Sequence, residues 1–175
     1  DAGLVKAKDL LAYESHADKI PLERMAPIVE RTLARGGFEI ESIDASKLDH
    51  LLDVARKVYN HAWRENWGFL PMTKEEFEFE AQGMKVLLKP ETAYVATHDG
   101  EPAGFILGLP DANVALKKID SKLFPFGWLR LLLALPKVGR IRVLALGVMP
   151  EFRNRGLDGA LVYSITRGAV RINLP

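Results

Sequence analysis

The spacing of apolar positions changes period several times along this chain, and each change predicts an element. Met25, Ile28, Val29 and Leu33 recur at helical spacing within residues 21–35, with Gly36-Gly37 as a C-terminal stop and Pro27 limiting the start. Phe38 to Ile43 alternate, the period of a half-buried strand. Leu48, Leu51, Leu52, Ala55 and Tyr59 return to helical spacing behind Ser46 and Asp49, an N-cap pair. Thr73 and Glu76 form the T-x-x-E capping box of another helix, drawn to about Leu88 and stopped by Pro90. Thr92–Thr97 and Ala103–Leu109 read as strands around an Asp99-Gly100 hairpin turn. The stretch 111–139 is longer than a hairpin connection needs. Val143 to Val148 is an unbroken apolar run closed by Pro150, read as a buried central strand. Ala160, Leu161, Ser164, Ile165 and Gly168 follow at helical spacing. Residues 1–15, with Val5, Leu10, Leu11 and Tyr13 among lysines, read as a short strand-like piece.

The turn between the last strand and the last helix carries the chemistry. A strand, a tight turn and a helix direct several backbone N–H groups to one spot, where the positive end of the helix dipole also lies. Arg153 and Arg155 stand beside that spot, which suits a phosphate or pyrophosphate. Turns of this kind also occur in α/β proteins that bind no nucleotide. Here, however, Val148-Met149-Pro150 precedes Arg153-Asn154-Arg155-Gly156-Leu157-Asp158. The segment resembles motif A of the GNAT N-acetyltransferases, a strand with V-x-P and then Q/R-x-x-G-x-G/A opening a helix. Every signature position fits except the last, where Asp158 replaces a small residue. A carboxylate there either caps the helix or meets an anionic ligand with like charge, while Gly159 leaves the loop open.

The resemblance implies a GNAT-type α/β (α+β) fold, a mixed central sheet with flanking helices, whose C-terminal part lies outside this sequence. Residues 37–175 would form a partial GNAT domain in the order β1-α1-α2-β2-β3-insertion-β4-α3. Residues 1–36 would be a tail strand and linker helix, the end of a preceding domain in a tandem protein; alternatively Lys6–Tyr13 adds a strand to the same sheet. The implied activity is transfer of an acetyl group from acetyl-CoA to a small-molecule amine by direct attack. The alternative is an inactive GNAT-fold module that senses CoA or acts by association. By family analogy the donor site comprises Leu146, Gly147, Val148, Arg153, Asn154, Arg155, Gly156, Leu157, Asp158 and Gly159. The strand N–H groups would orient the thioester by oxyanion-hole logic. Many family members carry a glutamate on this strand and this chain does not, so Glu151 and Glu65 are the candidate bases, with water-mediated proton loss as the other route.

The acceptor side falls on Asn60–Met72, NHAWRENWGFLPM, the loop that borders the acceptor cleft in GNAT folds. Asn60, Trp63, Asn66 and Trp67 are its candidate substrate contacts; Trp63 and Trp67 also lie at the helical spacing of ordinary packing. The apolar run 123–135 is too short to span a bilayer and is broken by Arg130. It reads as a homodimer or inter-domain contact, or as a lid over the acceptor.

Composition narrows the classes. The 175 residues, 48% hydrophobic, are enough for one domain with a proper core. A net charge of +1 gives no pull towards nucleic acid or anionic membrane, and neither is expected as a partner. The absence of cysteine excludes disulfides, thiolate metal sites and a cysteine nucleophile, and the four histidines lack metal-ligand spacing, so no metal is expected. No secretory signal opens the sequence, which makes a cytoplasmic setting the default.

Overall fold

Antiparallel pairing organises the molecule. In the computed structural model, which describes residues 3–16, 19–43, 48–85, 87–118 and 124–172, four strands pair in the order β1-β2-β3-β4. They are β1 (Phe38–Ser42), β2 (Ala93–His98), β3 (Glu101–Pro110) and β4 (Ile141–Val148), and every neighbouring pair is antiparallel. Asp99 (φ 51°) and Gly100 (φ 79°) are both left-handed, the two-residue turn whose twist matches the flanking strands.

Alternation along the strands gives the sheet two apolar faces. On one face Ala93, Val95 and Phe105 meet Val54, Ala55, Val58 and Ala62 of α2 (Leu48–Ala62). On the other, Phe38, Ala96, Ala103 and Ile106 meet Leu157, Leu161 and Ile165 of the C-terminal helix (Leu157–Arg171). The first helix, α1 (Leu22–Gly36), packs beside it through Val29 against Ala160 and Tyr163. Helices therefore cover both faces.

The capping box predicted at Thr73 is complete. Thr73 Oγ1 accepts from the Glu76 N–H at 3.2 Å, and the Thr73 N–H donates to Glu76 Oε2 at 2.8 Å. The helix it opens, α3 (Lys74–Met84), ends ahead of the predicted Leu88. α1 begins before Pro27, which sits exposed inside the helix, and ends at Gly37, left-handed at φ 64°. Within 111–139 lie α4 (Ala112–Lys118) and α5 (Gly127–Ala134). The C-terminal helix is α6. Ser46, half of the predicted N-cap of α2, lies outside the described residues.

One expectation is corrected. Residues 4–16 form no strand and are exposed, so neither a strand-like tail nor an added strand from Lys6–Tyr13 is found there. Their apolar side chains meet no partner strand among the described residues; Glu14 instead pairs with Arg140 at 2.6 Å. β4 is the outermost of the described strands, with Val143 and Leu144 48% and 43% exposed. Its pairing also slips: Leu107 faces Ala145 and Gly108 faces Val143, leaving Leu144 as a bulge.

One glycine sets the height of α6 over the sheet. A Cβ at Gly168 would lie 1.8 Å from the Glu91 carbonyl oxygen and 2.6 Å from the Tyr94 hydroxyl. Only a residue without a side chain allows that approach.

Candidate functional site

The chain leaves β4 through a single turn of 3-10 helix, Pro150–Phe152. Asn154 (φ 61°) and Gly156 (φ 80°) then take left-handed conformations, folding the turn so that α6 starts at Leu157. The fully buried Leu157 side chain anchors it. Gly156 is the N-cap residue, and no side chain caps this end. The first intrahelical bond runs from Ala160 N–H to the Gly156 carbonyl at 3.1 Å. The N–H groups of Leu157, Asp158 and Gly159 therefore have no acceptor within the helix. Asp158 lies in the first helical turn, exposed, and does not cap it.

An open trough of about 240 Å³ borders this end, lined by Ala62, Trp63, Asn66, Leu146, Gly147, Val148, Arg153 and Asp158. Three elements converge there: the end of α2, the last half of β4 and the turn. Arg153 Nη2 donates to the Ala62 carbonyl at 2.5 Å. That carbonyl belongs to the negative end of α2, so the arginine braces α2 against the turn. Arg155 is exposed, its guanidinium 5.5 Å from the Phe152 ring centre. Gly147 lets β4 lie close: a Cβ there would be 3.0 Å from the Phe105 ring and 3.1 Å from Val58.

On the other side of Trp63 lies a cavity of about 360 Å³ between α2, α3 and the sheet. Trp63 borders both spaces. Its indole N–H donates to the Leu146 carbonyl at 3.1 Å, and its ring lies 5.0 Å from that of Tyr59. Tyr59, Phe77, Met84, Phe105 and the bulged Leu144 contribute apolar walls, and Glu80 and Lys85 are the charged residues at its margin.

The predicted residues separate accordingly. The trough brings together Trp63, Asn66, Leu146, Gly147, Val148, Arg153 and Asp158. Asn154, Arg155, Gly156, Leu157 and Gly159 form the adjoining turn and helix start. Trp67, predicted to wall the cleft, is 63% exposed and borders neither space. Glu65 and Glu151 are exposed and also border neither. Asn60 is committed to the loop itself: its amide donates to the Met72 carbonyl at 2.9 Å and accepts from the Met72 N–H at 3.0 Å. Sequence reading missed the wall made by α3, although Phe77, Ala81 and Met84 recur at the i, i+4, i+7 spacing of one helix face.

Comparison with known proteins agrees with this architecture. The chain belongs to the GNAT acetyltransferase family, whose model, "Acetyltransferase (GNAT) family", matches residues 52–171. It is 33% identical over 159 residues to a bacterial ceramide synthase of Caulobacter vibrioides and 32% identical over 155 residues to protein YghO of Escherichia coli. Those alignments take in 87% and 86% of this chain but 40% and 39% of the relatives. The chain thus spans about two fifths of the length of these relatives. Among solved structures, a GCN5-related N-acetyltransferase from Sphaerobacter thermophilus shares the fold, with a TM-score of 0.53 at 17% identity over 79% of this chain and 33% of that one.

The turn offers a suitable donor set for the pyrophosphate of a CoA thioester: three N–H groups without helical acceptors, the helix dipole and Arg155. Open space at Gly159, where a Cβ would meet nothing within 4 Å, leaves room for it. The Asp158 carboxylate is the one opposing charge lining the trough.

Proposed function

We propose that this chain forms the donor site and part of the acceptor cleft of an N-acyltransferase that takes the acetyl group of acetyl-CoA to an amine. The wall that the two spaces share at Trp63 is the observation that carries this reading. A thioester laid along Leu146–Val148 from the α6 turn would end beside the cavity where an acceptor enters. Alternate backbone N–H groups of β4 turn away from β3, its one neighbour among the described strands. Such fixed donors would stabilise the oxyanion formed when the amine attacks the thioester carbonyl. The C–N bond then forms and the C–S bond breaks, the thiolate taking up a proton. With Glu65 and Glu151 outside both spaces, the amine proton would leave through water. A relative named as a ceramide synthase, a name for an amide-forming activity, supports transfer to nitrogen.

Calorimetric titration of acetyl-CoA into the full-length protein tests the donor site. Arg155→Ala should weaken binding by about 1.5–3 kcal/mol, the worth of a charge-assisted hydrogen bond. An unchanged affinity would remove Arg155 from the site. Absence of binding at millimolar acetyl-CoA to the folded protein would favour a second reading, in which the Asp158 carboxylate excludes the anion and the fold works by association.

A further inference from the structure

The cavity behind Trp63 has the wrong lining for a small polar amine. Its walls are Ala55 and Tyr59 from α2, Phe77 and Met84 from α3, and Phe105 and Leu144 from the sheet. The one indole N–H at its boundary is already bonded to the Leu146 carbonyl. Charge is confined to Glu80 and Lys85, both exposed. A charged headgroup drawn inside would lose its hydration with only the Tyr59 hydroxyl and the exposed Glu80 and Lys85 to replace it. Apolar surface, by contrast, gains from burial there.

Shape adds a second constraint. Along α2 the lining runs from Leu52 through Tyr59 to Trp63, just past the end of the helix. At about 1.5 Å of rise per residue, that is a slot roughly 16 Å long. One end is Trp63, shared with the trough; the other lies by Leu52 and Met84. The volume of about 360 Å³ would take roughly a dozen methylene groups, if each needs about the 30 Å³ that a water occupies in the liquid.

We infer that this slot holds an unbranched hydrocarbon chain whose reactive end lies at Trp63. The chain belongs either to the acceptor, a long-chain amine, or to the acyl group of the donor thioester. The placing of the reactive end rests on the proposed acyl transfer; the occupancy of the slot by hydrocarbon does not.

The test uses the full-length protein, with all probes below their micelle concentrations. Binding of n-alkylamines from four to sixteen carbons is measured by calorimetry, and separately binding of n-acyl-CoAs over the same lengths. Affinity should rise about fourfold per methylene and level off near a dozen carbons, at the limit set by the slot. A rise in the amine series assigns the chain to the acceptor; a rise in the acyl-CoA series assigns it to the donor. Met84→Trp, at the far end, should bring the plateau several carbons earlier while leaving acetyl-CoA affinity unchanged; Ala81→Leu serves as a milder filling variant. Circular dichroism checks that both fold. Flat affinity in both series, or a plateau unmoved by either folded variant, would overturn the inference. Flat series with intact acetyl-CoA binding would leave acyl transfer standing. A chain-length rise for amines without acetyl-CoA binding would do the reverse.

Discussion

Gly168 and Gly159 lie on the same helix and should respond oppositely to the same substitution. In Gly168→Ala, the new Cβ must retreat from 1.8 Å to at least 3.0 Å from the Glu91 carbonyl oxygen. The obstacle is backbone, so α6 itself must lift. A lift of that size pulls Leu161 and Ile165 away from Ile106 and Ala103, and a radial gap of 0.5–1 Å already forfeits about a quarter to a half of each dispersion contact. The Tyr94 hydroxyl, 2.6 Å from the same Cβ, would be displaced as well. We expect a loss of about 3 kcal/mol, the upper end for overpacking. Gly159→Ala meets nothing within 4 Å and should stabilise the fold by about 0.5–1 kcal/mol through helix propensity. Urea denaturation of the full-length protein reads both. With a slope near ~2 kcal/mol per molar, Gly168→Ala should move the transition about 1.5 M lower and Gly159→Ala slightly higher. A Gly168→Ala variant within about 0.5 kcal/mol of wild type would refute the claim that this contact sets the height of α6.

Two further outcomes bear on the site. Asp158→Asn should tighten acetyl-CoA binding about two- to fivefold at low salt, with the gain shrinking as ionic strength rises, because it removes an exposed like charge beside the pyrophosphate; titrations at two salt concentrations check it, and equal affinities would mean the carboxylate points elsewhere. The Thr73 backbone N–H, followed by its hydroxyl, holds the Glu76 carboxyl below its ordinary value. Because the folded value is the lower one, this cap contributes fully above the ordinary glutamate range and is lost as pH falls through the folded value. Melting temperature followed from about pH 6 to pH 3 should therefore fall more steeply in wild type than in Glu76→Gln, and parallel curves would rule the contribution out.

Much of the fold was legible where local chemistry is self-contained. The Thr73–Glu76 capping box, the Asp99-Gly100 turn and the Gly37 stop each depend on a few adjacent residues, and each is found as read. The bulge at Leu144 was not legible, because it is set by pairing with Leu107 and Gly108, distant in the sequence. The turn between β4 and α6 could be read because V-x-P and the R-x-x-G spacing are contiguous. The cavity behind Trp63 could not, because its walls come from α2, α3 and two strands that only the tertiary fold brings together. Trp63 and Trp67 both read as acceptor contacts, and the one that borders both spaces is Trp63.

That indole has a consequence for how ligands in the two proposed sites would feel each other. Bonded to Leu146 and shared by trough and slot, it is a single partition rather than two walls. A ligand that shifts it from one side alters the pocket presented on the other. Linkage then requires reciprocity: whatever factor the occupied slot applies to thioester affinity, the bound thioester applies to the slot. Donor and acceptor affinities measured singly would therefore misstate the ternary complex, and the order of addition would leave its final population unchanged.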